Sequence, residues 1–141
     1  MAYTVILLLT RKPHLTPSEF KSYFENQHLP LVKSLFGPLC PVPKRRFYLA
    51  RTDDNTATNN STNNVPPLYT PWLLKGDPAS VDFDCITELE WPDEETFKLF
   101  QGKLKQRENM ERVARDHEEF MGEERILMIG EVEGGLPAGW D

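Results

Sequence analysis

Histidine and cysteine are scarce in this chain, and it lacks the runs that would commit it to a membrane or to nucleic acid. Its two cysteines, Cys40 and Cys85, form no CxxC pair. Neither a disulfide framework nor a zinc site is expected, and both are read as reduced, structural thiols. The three histidines have no zinc-ligand spacing, and no glycine-rich loop follows a strand as nucleotide binding requires. No metal and no bound cofactor are therefore expected. The apolar run Val5 to Leu9 falls far short of the roughly 20 residues that span a bilayer. It also lacks the basic leader and small-residue cleavage site of a signal peptide, so the expectation is a cytoplasmic protein with no membrane partner. Sixteen Lys and Arg stand against 22 Asp and Glu, for a formal charge of −6. That balance opposes the broad basic surface that phosphate backbones attract, and excludes nucleic acid as an expected partner.

What is present suits one core. A chain of 141 residues, 39% hydrophobic and 11% aromatic, supports a single domain over 1–141. Tyr3 to Arg11 is β-branched and leucine-rich and reads as a central strand. Thr16-Pro17-Ser18-Glu19 then supplies a capping residue, a proline at the first helical position and an acid three residues after the cap, so a helix starts there. Along it Phe20, Tyr23, Phe24, Gln27 and His28 share one face. Pro30 is expected to strain or end the helix near Leu29, with Leu31, Val32 and Leu35 able to continue it after a kink.

Prolines 38, 41 and 43 predict a loop, followed by a second strand over Arg45 to Arg51. The asparagine-rich stretch 52–64 predicts a polar, flexible insertion, and Val65 to Asp82 a packed loop carrying Tyr69 and Trp72 that could act as a lid. From Phe83 to Trp91 the alternation is clean: Phe83, Cys85, Thr87, Leu89 and Trp91 one way, Asp84, Ile86, Glu88 and Glu90 the other. Asp93 caps a helix that Gly102 is expected to break, before a further helix from about Lys105 to Phe120. Arg125 to Glu133 closes the fold as a strand, and 134–141 is a short tail. The order strand, helix, strand, strand, helix, strand defines an α+β fold of the ferredoxin-like βαββαβ kind, an antiparallel sheet with helices on one face. A partner subunit covering the other face is expected to enclose a partly polar cavity.

Arg11-Lys12, Thr16 to Phe20, Tyr23 and His28-Leu29-Pro30-Leu31-Val32 resemble the EthD family's strand-ending basic residue, capped helix and His-x-Pro-hydrophobic ending. Asp82 to Glu88 resembles its third strand, and Asp116-His117-Glu118-Glu119-Phe120 its late Asp-x-x-x-Phe element. The resemblance spans most of the chain apart from Arg51 to Val81 and the tail. It implies a dimeric α/β barrel, a homodimer with a pocket between sheet and helices in each subunit. In fungal aromatic polyketide pathways such members act as cofactor-independent decarboxylases, dehydratases or cyclases, and others have no settled activity.

His28 is the leading catalytic candidate, because histidine titrates near neutrality and can move a proton on an enolisable carbonyl compound. The structural alternative is a histidine bonded to a backbone carbonyl at the helix end. Asp84 could orient His28 or hold a substrate hydroxyl; the structural alternative is an inward charge paired with Arg11, Arg46 or Lys44. Glu88 lies about 13 Å away along the strand, too far for a carboxylate dyad, and is expected to pair with a nearby cation. Tyr23 could donate to an enolate oxygen, or serve as core with its hydroxyl at the rim. Substrate contacts are expected from Phe24, Arg11, Ile86, Glu88, Tyr69, Trp72 and the turn residue His14, while His117 reads as solvated surface. The expected function is a cofactor-independent lyase or isomerase acting on an aromatic or polyketide-derived small molecule, with His28 as proton shuttle. A non-catalytic carrier and a cofactor-free monooxygenase are the alternatives.

Overall fold

The computed structural model describes residues 2–53, 69–134 and 138–140. The leucine-rich N-terminal stretch forms β1 (Tyr3–Arg11). It runs inside a four-stranded antiparallel sheet, between β5 (Cys85–Trp91) and β6 (Met121–Met128), with β2 (Val42–Tyr48) beyond β5. This is the ferredoxin-like strand order. A short separate ladder pairs β3 (Arg51–Asp53) with β4 (Tyr69–Pro71). The expected insertion therefore contributes Thr52 and Asp53 to a strand, and its remainder, 54–64, lies outside the described residues, as do 135–137 and 141 of the tail.

Several strand boundaries differ from expectation: β2 ends at Tyr48, with Arg51 opening β3 instead, β5 starts at Cys85 rather than Phe83, and β6 ends at Met128 rather than Glu133. β2 starts at Val42 rather than Arg45 because a proline is tolerated on an edge strand, and the register shifts between Pro43 and Arg45 to accommodate it. β6 begins directly where the last helix ends, four residues before Arg125. Gly122 lies at this passage, where the β1–β6 register shifts between Thr10 and Arg11.

Thr16 closes a capping box: its hydroxyl accepts from the Glu19 amide at 3.0 Å, while its own amide donates to the Glu19 carboxylate at 2.9 Å. Such a cap contributes about 1 kcal/mol to the helix it starts, here α1 (Pro17–Tyr23). Pro30 does not end the helical run. A π-helical turn, Phe24–His28, absorbs the strain, and α2 (Leu29–Phe36) continues with Pro30 in its first turn, where a missing N–H costs little. The wider turn buries Phe24 and His28 and leaves Gln27 exposed. In the second half, the Asp93 carboxylate accepts from the Thr96 amide at 2.7 Å to cap α3 (Glu94–Leu104). That helix passes through Gly102 and breaks only at Lys105 and Gln106, before α4 (Arg107–Phe120).

The alternation in β5 is as the pattern predicts: Cys85, Thr87 and Trp91 are buried beneath the helices together with Val5 and Leu9 of β1. Phe20, Phe24 and Phe120 pack ring against ring, with centroids 5.7 to 6.2 Å apart. Each buried phenyl stabilises the fold by about 2–3 kcal/mol. This aromatic cluster anchors the π turn to the end of α4, which brings two polar residues of α4 against His28.

Candidate functional site

Between the sheet and α2, α3 and α4 lies a cavity of about 490 Å³. Its walls are mostly apolar, from Leu7 and Leu89 on the sheet to Val32, Phe100 and Val113 on the helices. His28, His117 and Glu124 are the titratable groups that interrupt this lining, with Lys33 and Cys40 from the neighbourhood of α2.

His28 is 7% exposed and its Nδ1 lies 2.8 Å from Asp116 Oδ2. The other oxygen of Asp116 accepts from the Tyr23 hydroxyl at 2.7 Å. With Nδ1–H donating to the carboxylate, Nε2 is left as the imidazole's proton acceptor. Burial pushes the His28 pKa down, and the Asp116 hydrogen bond and charge only partly offset this, so the ring is neutral at neutral pH and able to accept a proton. The imidazole packs against Phe24 and Phe120, at 5.9 and 5.0 Å. Tyr23 is pushed up to about 12 by burial and by its bond to Asp116, which keeps it a phenol that holds the carboxylate in place.

The His117 ring stands 4.8 Å from that of His28. Burial and the neighbouring imidazole push His117 down to about 4. Instead of a solvated surface residue it is a half-buried wall of the cavity. Val113, Asp116, His117 and Phe120 share one face of α4 at spacings of three and four, a stripe visible in the sequence and hidden there by its charged neighbours.

Of the expected site residues, His28 and Phe24 line the cavity, and Tyr23 is tied to His28 through Asp116. Asp84 does not orient His28. Its Oδ1 lies 3.2 Å from Arg11 Nε and 2.8 Å from Arg51 Nε, and its Oδ2 accepts from the Arg11 amide at 2.8 Å. Arg51 also donates to the Tyr69 and Phe83 carbonyls, so this cluster ties β3 and β4 to the main sheet. Arg11 is thereby spent on Asp84 and stacks over the Tyr69 ring at 5.2 Å. Ile86 and Glu88 sit on the sheet's other face, where Glu88 Oε2 accepts from Arg45 Nε at 3.1 Å. Trp72 is 65% exposed, His14 is exposed in its turn, and neither borders the cavity. Among the described residues no three of His, Cys, Asp and Glu are grouped so as to hold a metal ion, and no helix is long and apolar enough to cross a membrane.

Fold and site together define a ferredoxin-like α+β protein with a buried histidine–carboxylate pair at an apolar cavity. The EthD domain model matches residues 12–124, and the chain belongs to the EthD family. A solved EthD family protein from Bacillus halodurans superposes with a TM-score of 0.52 at 16% identity, over 94% of this chain and 100% of that one, a likeness of fold. An EthD-like protein from Ralstonia eutropha aligns at 12% identity over 90% of each chain, with a TM-score of 0.46. SnoaB, a cofactor-independent oxygenase from Streptomyces nogalater, aligns at 15% identity over 93% of this chain and 95% of its own, with a TM-score of 0.42. No curated protein matches the chain.

Proposed function

We propose that this protein is a cofactor-independent lyase or isomerase for an aromatic or polyketide-derived small molecule, with His28 as the group that moves the proton. The observation that carries this reading is the His28–Asp116 pair, 2.8 Å apart, with His28 on the wall of a mostly apolar cavity. An apolar cavity of this size orders a fused-ring ligand by burial and excludes water. Decarboxylation, dehydration and ring closure of such compounds all pass through enols, for which a placed base and a dry pocket are the main requirements. Asp116 fixes the tautomer and stabilises the imidazolium that forms, as a carboxylate does for other catalytic histidines. The reading carries with it a cytoplasmic protein of secondary metabolism, of the fungal polyketide type, acting as a homodimer through the sheet face that no helix covers.

The test is product mass. Purified protein is mixed with a panel of aromatic β-keto acids and anthrone-like polyketide acids, without added metal or coenzyme. Loss of carbon dioxide or water that vanishes in a folded His28→Ala variant is the expected result. Unchanged turnover by that variant overturns the mechanism. Tight binding with unchanged masses overturns catalysis in favour of a carrier.

A further inference from the structure

Among the described residues Glu124 is the one carboxylate that lines the cavity, and the His28–Asp116 pair does not use it. It lies opposite Leu9 of β1 in the antiparallel register, which turns it to the same side of the sheet as Val5, Leu7, Ile126 and Met128, towards the helices. It follows Met121 by three residues, and Met121 belongs to the buried cluster that also holds Phe24 and Phe120, the rings against His28. Unlike the acids of β5, which pair with Lys44 and Arg45, Glu124 has neither hydrogen bond nor ion pair among the described residues. Its side chain is exposed, as that of a group that meets a ligand must be, and partial desolvation by the protein around it raises its carboxyl above the ordinary range. His28, on the opposite wall, is shifted the other way. Two titratable groups moved apart in this sense divide into base and acid.

We propose that Glu124 is a catalytic residue, the acid partner of His28, and that together they remove water from a β-hydroxy carbonyl compound that becomes aromatic on losing it. The proposal rests on the reading of His28 as the catalytic base. Nε2 of His28 takes the proton from the carbon beside the carbonyl, and the electron pair of that C–H bond forms the enol and then the new C=C bond. The C–O bond to the hydroxyl breaks as the Glu124 carboxyl gives up its proton, and water leaves. The proton on His28 then restores Glu124 through solvent, so no oxidant or reductant is consumed.

The test uses 3-hydroxy-1-tetralone, which loses water to give fluorescent 1-naphthol, in deuterated buffer. Two rates are read: exchange of the hydrogens beside the carbonyl, and appearance of naphthol. The expected result is that wild-type protein does both, Glu124→Gln keeps exchange but loses at least tenfold in naphthol formation, and Glu124→Asp recovers part of it. His28→Ala loses both. A Glu124→Gln variant that forms naphthol at the wild-type rate overturns the assignment, as does wild-type protein that exchanges without releasing water, which leaves the His28 reading standing. Wild-type protein that does neither overturns both. Thermal unfolding of each variant shows that a lost rate is not a lost fold.

Discussion

The carboxylate of Asp116 holds His28 and Tyr23 at once, Oδ2 at 2.8 Å from His28 Nδ1 and Oδ1 at 2.7 Å from the Tyr23 hydroxyl. Replacing it by asparagine keeps the shape and removes the charge. An amide presents either its oxygen or its nitrogen to His28, so the tautomer with Nε2 free is no longer enforced. The expected outcome for Asp116→Asn is a fall in kcat of about 10²–10⁴-fold with little change in KM. Tyr23→Phe removes only one of the two anchors and loses far less. Steady-state kinetics on whichever substrate the mass assay identifies will show whether this order holds.

Burial of two neutral imidazoles makes stability depend on pH. Unfolded, His28 and His117 take up protons near 6.5; folded, both resist, His117 until about 4. Between these values the unfolded chain binds more protons, so stability rises with pH there. It falls as pH drops below 6.5 and flattens once His117 charges. Each histidine contributes a slope of up to about 1.4 kcal/mol per pH unit. Urea midpoints measured across this range, for wild type and for His117→Gln, check the sign. A variant whose pH dependence matches the wild type would refute the assignment for His117.

The helix cap at Thr16, the two faces of β5 and the strand order were all legible from local chemistry, because capping residues and period-two alternation act over a few residues. The edge strand over Val42 and Pro43 was not, since a proline reads as a loop until its strand is known to be at the edge. The site divides in the same way. His28 stood out as a lone titratable group ending an aromatic stripe. Its true partner, Asp116, lies 88 residues away in a run of charged residues on α4. Asp84 lies on the sheet as expected, and its pairing with Arg11 was one of the two readings open to it; its second cation, Arg51, comes from β3, whose place beside the sheet no spacing shows. Glu124 was hidden by the expectation that β6 starts only at Arg125, four residues after its actual start at Met121.

Asp84 is the single counter-charge between two guanidinium groups, and Asp84, Arg11 and Arg51 have side chains no more than 11% exposed. Asp84→Ala leaves both cations buried and unpaired, which costs roughly 3–5 kcal/mol. Because this cluster does not border the cavity, turnover per folded molecule is expected to stay at the wild-type value. Urea denaturation followed by circular dichroism gives the first quantity, and kinetics well below the unfolding midpoint the second. A specific loss of kcat in fully folded Asp84→Ala would return Asp84 to the catalytic role expected of it.

The sheet face away from the helices carries Leu8 opposite Ile86, and Ile86 opposite Phe47, in one row across three strands. Phe47 is 47% and Leu127 44% exposed there, beside the Arg45–Glu88 pair. An apolar row of this kind, rimmed by charge, is where the proposed homodimer would bury on the order of 800 Å² per subunit. An arginine placed at its centre desolvates a charge against the same charge of the second copy, since a two-fold axis brings like residues near one another. Ile86→Arg is therefore expected to sediment as a folded monomer where the wild type sediments as a dimer, with far-ultraviolet circular dichroism unchanged. A wild-type monomer at micromolar concentration would remove the homodimer from the proposed function and leave the cavity chemistry, built within one chain, as it stands.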